Sequence, residues 1–585
     1  MNAENNVAPE LKKIVIIGGV AGGMSAAARA RRLSENSRII VLERGEHVSY
    51  ANCGLPYFIG DEIESRNKLL VATPTDLEQK LNIEVRVFSE VLDIDTACTT
   101  VTVKDLKHGV VYGETYDELI LAVGAAPIKP KIQGIDLPGL FTVRSVEDAE
   151  SIKQWIVEHK PSKAVVAGGG FIGLEMAEQL VQKGVEVTLI DGKDQVLAPV
   201  DPEMAALVHA ELKENGIKLV LGASIEGFLE PDSVKCSKSP QSCFVKAAHQ
   251  EPIAADLVIL GLGVRPEITL AKKAGLAIGE RGGIKVDDKL QTSVEHVWAV
   301  GDAIEVLNPI NKRMSLIALG GPANRQGRLV ADNIFGADKS YKGTLGTAIL
   351  RVFNLTAASV GLNETALKDA QIPYEMVYVH PNDHASYFPG AERLDMKVLF
   401  HSKTGHLLGA QIVGAQGVDK RIDVIATAMK AGLTIDELAD LELAYAPPYG
   451  SAKDPINLLA MSGSNVLAGL NKQIHWYEMD EISKDQRTCV IDVRTKKERD
   501  RGYIEGSMHI PISELRGRIA EISKEKDVVV YCQSGQRSYL AFRVLKQLGY
   551  KVRSLSGGYL TWFSANEIKK PQGSVFSLAP GAVTK

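Results

Sequence analysis

Two cysteines lie in settings that favour sulfur chemistry. Cys53 occurs in the run Ala-Asn-Cys-Gly-Leu-Pro-Tyr, and Cys532 separates the apolar run 527–531 from a glycine-containing loop. A thiolate attacks sulfur and exchanges electrons with it, and backbone N–H groups in a loop before a helix stabilise an anion on sulfur. The chain has six cysteines, at positions 53, 98, 236, 243, 489 and 532, without a CxxC pair. We therefore predict two reactive thiols, neither with a second thiol nearby in the sequence, and no metal site.

The composition excludes several classes of function. The chain has 585 residues, 45% of them hydrophobic and 24% charged, with a net charge of −5. These values are typical of globular protein, and the length predicts several domains. No block of like charge favours nucleic acid, no apolar run is long enough to span a membrane, and residues 1–13 lack the apolar core of a signal peptide. We expect a cytoplasmic protein, in which thiols stay reduced.

Two segments of the chain have the pattern of a nucleotide-binding unit. Each is expected to form a strand, a glycine turn, a helix and a second strand. The first runs through Gly18 and Gly23 to Glu43, and the second runs through 168–173 to Asp191. Glycines let the backbone approach a pyrophosphate at a helix start, and the acid about 20 residues later binds ribose hydroxyls. Gly168, Gly170 and Gly173 fit this pattern fully, whereas Val20 takes the middle glycine position of the first copy. The sequence therefore predicts two dinucleotide sites.

Asp191 bears on the choice of nicotinamide cofactor. A carboxylate at this position binds a free 2′-hydroxyl and repels a 2′-phosphate. We expect NADH rather than NADPH, although nearby Lys193 reduces the repulsion.

Beyond about residue 343 the pattern changes to alternating strands and one amphipathic helix near 421–431, and an α/β pattern resumes after a small-residue stretch, 462–471. The predicted fold class is α/β, with two Rossmann-like dinucleotide-binding domains, an α+β domain and a C-terminal α/β domain. The predicted boundaries are 1–120 and 255–340 for the two parts of the first dinucleotide-binding domain, 121–254 for the second, 341–461 for the α+β domain, 462–473 for a linker, 474–570 for the C-terminal α/β domain and 571–585 for a tail.

Three further motifs resemble, in order, those of the two-dinucleotide flavoprotein disulfide reductases: 116–125, 261–267 and 297–302. The resemblance implies FAD in the first unit and a nicotinamide nucleotide in the second, with Asp302 on the ribityl chain. It adds Arg44, Gly124 and Gly263 to the cofactor-binding set.

Paired-cysteine members of that family have a second cysteine five residues after the first, where this chain has Phe58. In the related NADH oxidases and peroxidases a histidine serves the cysteine, and Ala21 stands at its position here. The turn and the run 51–57 instead resemble coenzyme A disulfide reductase. This resemblance implies coenzyme A as substrate or bound thiol, with contacts from Ser25, Arg29, Arg32, Ser49, Asn52, Asn324 and Lys453. Arginine suits such a role because it binds phosphate in a bidentate manner; without the resemblance, Arg29, Arg31 and Arg32 would be interpreted as a solvated helix face.

Two tyrosines match residues that reach the cysteine of the other subunit in that family. They are Tyr387, in Ala-Ser-Tyr-Phe-Pro-Gly, and Tyr445, in Leu-Ala-Tyr-Ala-Pro-Pro-Tyr. A phenol near sulfur can protonate a leaving thiolate. The resemblance thus implies a homodimer, while packing at an interface is the alternative interpretation.

The C-terminal segment resembles the single-domain rhodaneses, in which the cysteine carries a persulfide. The resemblance rests on 492–494, Glu498, 509–511, 555–558 and the loop after Cys532, whose residues are Gln533, Ser534, Gly535, Gln536 and Arg537. This loop is one residue shorter than in cysteine phosphatases, which favours sulfur over phosphate chemistry. His509 is expected to be structural.

Our hypothesis from the sequence is a reductase that passes electrons from NADH through FAD to Cys53 and then to coenzyme A disulfide, coenzyme A persulfide or polysulfide, with Cys532 handling sulfane sulfur. The alternatives are an NADH oxidase or peroxidase, a sulfurtransferase with an accessory flavin reductase, and a flavin redox sensor.

Overall fold

The structure is a computed structural model that describes residues 11–230 and 243–568. It divides into two compact units, and the described residues of the first are 11–190, 224–230 and 243–344. Those of the second are 191–223 and 345–568. The predicted polar start (1–10), Cys236 and the predicted tail lie outside the described residues.

The first unit contains two parallel sheets with helices beside them. The strands of the first sheet are, in spatial order, Val297–Ala299, Glu118–Leu121, Lys13–Ile17, Arg38–Leu42 and Glu84–Arg86. Those of the second include Glu186–Ile190, Lys163–Ala167, Leu257–Leu260 and Leu140–Phe141. Their central strands are apolar and fully buried, as is typical of parallel strands covered on both faces.

Helices and small antiparallel sheets complete this unit. The helices are Ala21–Leu33, Leu55–Ile59, Pro74–Leu81, Val146–His159, Phe171–Gln182, Thr269–Lys273 and Gly320–Ile334. The antiparallel strands are Ser89–Asp95, Thr100–Asp105 and Val111–Thr115 in one sheet, and Ile225–Leu229, Cys243–Ala247 and Ile253–Ala255 in another. Short pairs join Ala125–Pro127 to Val264–Pro266 and Val306–Leu307 to Met314–Ser315. Cys98, expected within a strand, lies in the exposed turn between two of these strands.

In the second unit an antiparallel sheet has the order Ala348–Val352, Leu355–Gly361, Leu407–Gly414, Leu394–His401 and Tyr374–Val379. Its helices are Glu364–Asp369, Val418–Ala431, Ile435–Ala439 and Pro455–Leu467, and the same unit contains helix Pro202–Glu214 and strand Lys218–Val220.

A parallel sheet forms the C-terminal part of this unit. Its order is Gln473–Ile474, Val552–Leu555, Asp527–Tyr531, Thr488–Asp492 and Met508–His509. Its helices are Met479–Ile482, Lys496–Arg499, Gln536–Gln547 and Gly558–Ile568, and the last of them packs on helix Pro202–Glu214. The predicted α/β fold class is confirmed.

The prediction of an irregular linker from residue 462 is wrong for its first six residues, which continue helix Pro455–Leu467. The reason is packing. A Cβ on Gly463 would lie 2.5 Å from Cγ1 of Ile435 and 3.2 Å from Phe400. This glycine therefore permits close helix packing rather than chain flexibility.

A buried ion cluster lies between helix Pro202–Glu214 and the antiparallel sheet. Lys397 Nζ donates to Asp201, Glu203 and Glu364 at 2.7, 2.6 and 2.7 Å. Burial alone would lower the pKa of Lys397, but Glu203, Tyr378 and the other two acids raise it well above its ordinary value. The pKa of Glu364 would be raised by burial, yet Lys397 brings it down to about 2. A charge network replaces apolar packing at this point of the core.

Among the described residues, no helix has the length and apolar character needed to cross a membrane.

Candidate active sites

Cys53 lies in a short 3-10 turn, Asn52–Gly54, immediately before helix Leu55–Ile59. Pro56 in the first helical turn favours this start, because proline is tolerated where an N–H has no helical partner. The residue is exposed, and its Sγ is 3.8 Å from Oδ1 of Asn52. Phe58 is buried in the helix, with Lys153 Nζ 4.4 Å from its ring centre. The position of a second cysteine in paired-cysteine enzymes therefore holds a core aromatic.

The electrostatic surroundings of Cys53 do not favour a thiolate by themselves. Desolvation by neighbouring protein raises the pKa of the thiol, and the carboxylates of Glu175 and Asp302 raise it further. Glu175 also accepts a hydrogen bond of 3.2 Å from the hydroxyl of Tyr57, 118 positions away. Sequence reasoning missed Glu175 because nothing local relates helix Phe171–Gln182 to the cysteine segment.

The first glycine turn forms despite Val20. Gly18 has a φ of +101°, and a Cβ there would lie 2.3 Å from the carbonyl oxygen of Ala122. A Cβ on Gly23 would lie 1.9 Å from the Gly18 carbonyl oxygen. Glu43 accepts hydrogen bonds of 2.9 Å from the N–H groups of both Gly19 and Gly45. The acid therefore fixes the turn as well as standing at the end of its strand.

Asp302 lies in a short 3-10 turn after strand Val297–Ala299. Burial raises the pKa of this carboxyl group and Arg144 opposes the rise. Gly301 N–H donates to Gln326 Oε1 at 2.7 Å, which ties the turn to helix Gly320–Ile334. Gly124 and Gly263 both have positive φ, at +69° and +95°. Arg44 follows Glu43 at the end of its strand.

The second glycine turn repeats the first. Gly168 has a φ of +106°, and a Cβ there would lie 2.2 Å from the Gly261 carbonyl oxygen. A Cβ on Gly173 would lie 1.9 Å from the Gly168 carbonyl oxygen, whereas no atom lies within 4 Å of the Cβ position of Gly170. Gly170 therefore leaves open space at the helix start, as a phosphate site requires. In the second unit, Asp191 Oδ1 accepts the Lys193 N–H at 2.8 Å.

Of the residues expected to bind substrate, Ser25 and Arg29 lie on helix Ala21–Leu33. Ser25 Oγ donates to Asn324 Oδ1 at 2.5 Å, and Arg29 Nε donates to Asp332 Oδ1 at 2.5 Å, 303 positions away. The facing helix supplies both partners. Helices approach this closely because Gly327 has no side chain; its Cβ would lie 2.1 Å from the Gly22 carbonyl oxygen.

Arg32 lies near the end of helix Ala21–Leu33, Asn52 begins the 3-10 turn of Cys53, and Ser49 and Lys453 lie outside helices and strands. Ser49 has a φ of +48° and donates its N–H to Gly19. Asn52, Arg32 and, in the second unit, Lys453 are exposed. Arg31, by contrast, is only 5% exposed and donates to the backbone carbonyls of Ser34, Glu35, Leu81 and Asn82. The interpretation of Arg31 as part of a solvated face is therefore wrong, because Arg31 ties its helix to the end of helix Pro74–Leu81.

Tyr387 and Tyr445 meet in the second unit. Their hydroxyl groups are 2.7 Å apart, and the residues are 74% and 47% exposed. Arg421 links the loop before Tyr387 to the start of helix Pro455–Leu467. Its Nη2 donates to the Asp383 carbonyl oxygen at 2.6 Å and to Asp454 at 2.9 Å. Asp454 caps helix Pro455–Leu467 and follows Lys453 directly.

Cys532 directly follows strand Asp527–Tyr531 and has 0% exposure. The N–H of Gly535, whose φ is +101°, donates to Cys532 Sγ at 3.2 Å, and Ser538 Oγ is 3.6 Å from the sulfur. Of the predicted loop residues, Gln533, Ser534 and Gly535 lead into helix Gln536–Gln547, whereas Gln536 and Arg537 are the first residues of that helix, whose start lies beside the sulfur. This geometry suits a sulfur anion.

Two ion pairs lie beside the cysteine loop. Arg537 donates to both oxygens of Glu498, at 2.7 and 2.5 Å. Burial would raise the pKa of Glu498, but Arg537 and Thr495 bring it to about 2. Arg494 is buried against Asp492. The Nε2 atom of His509 is 2.9 Å from the carbonyl oxygen of Arg494. The contact is consistent with a structural role for His509.

Three family models match the sequence. Residues 12–327 match pyridine nucleotide-disulphide oxidoreductase, 347–454 match its dimerisation domain, and 476–565 match the rhodanese-like domain. A coenzyme A disulfide reductase of Staphylococcus haemolyticus is 36% identical over 450 residues, which are 77% of this chain and 98% of the relative. An NADH oxidase of Methanocaldococcus jannaschii is 34% identical over 449 residues, with the same coverage.

Two solved structures match nearly the whole chain. Reduced CoADR-RHD of Bacillus anthracis has a TM-score of 0.92 and 47% identity, covering 95% of this chain and 98% of its own. An NAD-dependent persulfide reductase from A. fulgidus has a TM-score of 0.86 and 38% identity, covering 94% and 100%. With two Rossmann-like folds, a dimerisation domain and a C-terminal rhodanese-like domain, this chain belongs to the pyridine nucleotide-disulphide oxidoreductase family.

Proposed function

We propose that this protein is an FAD-dependent reductase that uses NADH to reduce coenzyme A disulfide or coenzyme A persulfide through Cys53, while Cys532 handles sulfane sulfur. One observation carries the proposal: Cys53 is exposed, and the place of a resolving cysteine is taken by buried Phe58. A lone redox thiol needs a thiol from outside the chain to form a disulfide. The relative named coenzyme A disulfide reductase supports coenzyme A as that thiol.

The two glycine turns suit two dinucleotides. We assign FAD to Gly18, Gly23, Glu43, Arg44, Gly124, Gly263 and Asp302, and NADH to Gly168, Gly170, Gly173 and Asp191. The open space at Gly170 and the partly buried Asp302 carboxyl group fit a phosphate and a hydroxyl-bearing chain, respectively. FAD, when bound, supplies the two-electron carrier between NADH and sulfur.

Cys53 carries the substrate step. Its thiolate attacks one sulfur of coenzyme A disulfide, so that a Cys53–coenzyme A disulfide forms and coenzyme A thiolate leaves. With coenzyme A persulfide, attack at the sulfur bound to coenzyme A gives the same mixed disulfide and releases sulfide. Two electrons then cleave the mixed disulfide to the Cys53 thiolate and a second thiolate. Ser25, Arg29, Arg32, Ser49, Asn52, Asn324 and Lys453 are the residues to which we assign coenzyme A binding.

Tyr387 and Tyr445 supply a proton to the leaving thiolate in this proposal. Their two hydroxyl groups share a hydrogen bond, so one hydroxyl is free to donate outward. Because the family has a dimerisation domain, we infer a homodimer in which these residues reach Cys53 of the other subunit. We also infer a cytoplasmic location, because both cysteines must remain as free thiols and the cytoplasm keeps thiols reduced.

Cys532 transfers sulfur in the second site. Its thiolate takes the outer sulfur of a donor such as thiosulfate, forming a Cys532 persulfide and releasing sulfite. A coenzyme A thiolate then takes that sulfur, which restores the Cys532 thiolate and gives the coenzyme A persulfide that Cys53 reduces.

The test is NADH oxidation with coenzyme A disulfide, coenzyme A persulfide, polysulfide and oxygen as separate acceptors. We expect the wild type to reduce both coenzyme A compounds and Cys53→Ser to reduce neither. Cys532→Ala should keep both activities and lose formation of thiocyanate from thiosulfate and cyanide. Undiminished coenzyme A disulfide reduction by Cys53→Ser would contradict the proposal.

A second candidate function is NADH oxidase activity, favoured by the relative from Methanocaldococcus jannaschii. Ala21 at the histidine position disfavours it. Oxygen consumption that is rapid without coenzyme A and insensitive to its disulfide would support this candidate instead.

A further inference from the structure

The rhodanese-like loop is braced by a turn at the start of the last helix. Gly557 and Gly558 both have positive φ, at +69° and +63°. The N–H groups of Tyr559 and Leu560 donate to the carbonyl oxygens of Cys532 and Gln533 at 2.8 and 3.0 Å. A Cβ on Gly558 would lie 2.5 Å from the Cys532 carbonyl oxygen. The backbone of the cysteine loop therefore rests directly on this turn.

A histidine of the dimerisation domain holds the same turn. His380, just after strand Tyr374–Val379, places Nε2 3.1 Å from the Gly557 carbonyl oxygen and 3.0 Å from Thr561 Oγ1. Its other nitrogen, Nδ1, is 2.5 Å from Asp395 Oδ1. A carbonyl oxygen only accepts, so the contact with Gly557 needs a donating N–H on Nε2.

The histidine is itself fixed in place. Its side chain is 5% exposed, and Asp395 is held from its other side by Arg393 at 3.1 Å. Burial would raise the pKa of Asp395, but Arg393 and His380 lower it, so the carboxylate stays charged. A histidine whose second nitrogen binds a carboxylate has a fixed ring orientation. Tyr378 also packs against the turn, since a Cβ added to Gly557 would lie only 2.9 Å from the Cβ of Tyr378.

We propose that His380 is a positioning residue for sulfur transfer at Cys532, acting from the dimerisation domain through the Gly557–Gly558 turn. The proposal rests on the proposed sulfurtransferase role of Cys532. The chain of contacts runs from Asp395 to His380, to Gly557 and Thr561, and then to the carbonyl oxygens of Cys532 and Gln533. The same loop aims the Gly535 N–H at the sulfur. Loss of the brace lets the loop relax and weakens the stabilisation of the sulfur anion.

The experiment uses the full chain with its cofactors and measures the rate of Cys532 persulfide formation from thiosulfate, together with coenzyme A disulfide reduction. We expect His380→Leu to slow persulfide formation about tenfold while coenzyme A disulfide reduction stays within twofold. His380→Gln, whose side-chain amide can donate to Gly557, should recover at least half of the wild-type rate. Rescue by a donor of similar reach separates positioning from general packing.

His406→Leu is the matched control, because it removes an imidazole that lies 3.2 Å from the Gly432 carbonyl oxygen within the dimerisation domain alone. It should leave persulfide formation unchanged. If His380→Leu is too unstable to purify, Thr561→Val tests the same contact from the other side and should also slow persulfide formation.

Wild-type persulfide formation in a folded His380→Leu protein, with Cys532→Ala inactive, would overturn the inference and leave the proposed function intact. Equal activity of wild type and Cys532→Ala would instead refute the proposed sulfurtransferase role.

Discussion

The hydroxyl groups of Tyr387 and Tyr445 lie 2.7 Å apart, although 58 positions separate the residues. Both are exposed in the single chain, and the hydrogen bond between them raises the pKa of Tyr387. Tyr387 therefore keeps its proton over a wider pH range, and a proton donor must be protonated before the reaction.

We predict that Tyr387→Phe and Tyr445→Phe each lower kcat for coenzyme A disulfide reduction about a hundredfold, at the lower end of what general acid catalysis contributes. Because the hydroxyls act as a pair, the double variant should lose less than the product of the single losses. Steady-state kinetics measures this. Tyr449→Phe, an exposed tyrosine of the same segment, is the control and should behave as wild type. Full activity in the double variant would contradict this prediction and show that the two tyrosines serve only in packing.

At the second site, Arg537→Ala should lower the rate of sulfur transfer at Cys532 about tenfold or more. The change removes two hydrogen bonds to Glu498 and a charge beside the cysteine loop. Arg537→Lys should remain impaired, because lysine cannot make the bidentate contact. Thiocyanate formation is the measurement. Lys546→Ala, exposed on the same helix, should have no effect; an equal loss there would point to helix stability instead.

Cofactor choice gives a third prediction. Asp191→Ala should raise the ratio of kcat/KM with NADPH to that with NADH at least tenfold, since a carboxylate repels a 2′-phosphate. The ratio from steady-state assays with both nucleotides decides this. The control is Asp194→Ala, which removes a nearby exposed carboxylate. An unchanged ratio for Asp191→Ala would exclude Asp191 from contact with the ribose.

The buried ion cluster gives a prediction on stability. Lys397→Met should destabilise the second unit by about 3–5 kcal/mol, because removing one partner leaves buried carboxylates uncompensated. Calorimetric melting compares it with Lys430→Met, which removes an exposed lysine and should melt with the wild type. A melting point for Lys397→Met equal to that of the wild type would show that the cluster contributes nothing.

The same cluster predicts a pH dependence. The pKa of Glu364 is about 2 in the folded protein and roughly 4.3 in an unfolded chain. A lowered folded pKa stabilises the fold above the unfolded value, and this contribution is lost as the pH falls from about 4.3 to about 2. Glu364→Gln should therefore lose less stability than wild type over that window in acid melts. Parallel curves for the two proteins would contradict this.

Local pattern was sufficient for the elements around both glycine turns. The predicted strand before each glycine turn is present, as Lys13–Ile17 and Lys163–Ala167, because glycine turns and apolar runs are local signals. The same logic failed at Gly463, where glycine serves helix packing, and at Arg31, two of whose carbonyl partners lie at the end of another helix.

Contacts between distant segments could not be predicted. Nothing near Lys397 in the sequence indicates three carboxylates from two other elements, and nothing near Cys53 indicates Glu175. Tyr387, Tyr445 and the coenzyme A contacts came from resemblance, not from pattern. Their roles stay predictions, as do the domain boundaries.

Helix Pro202–Glu214 depends on the rhodanese-like domain for part of its burial. Its residues 203–212 are all buried, and the last helix of the rhodanese-like domain packs on it. The staphylococcal relative matches over 98% of its length with 77% of this chain. In the full-length protein the covered part of this surface can therefore carry alanine and leucine. If the rhodanese-like domain were removed from this chain, that part of the helix would be exposed to water and would need polar residues to avoid association.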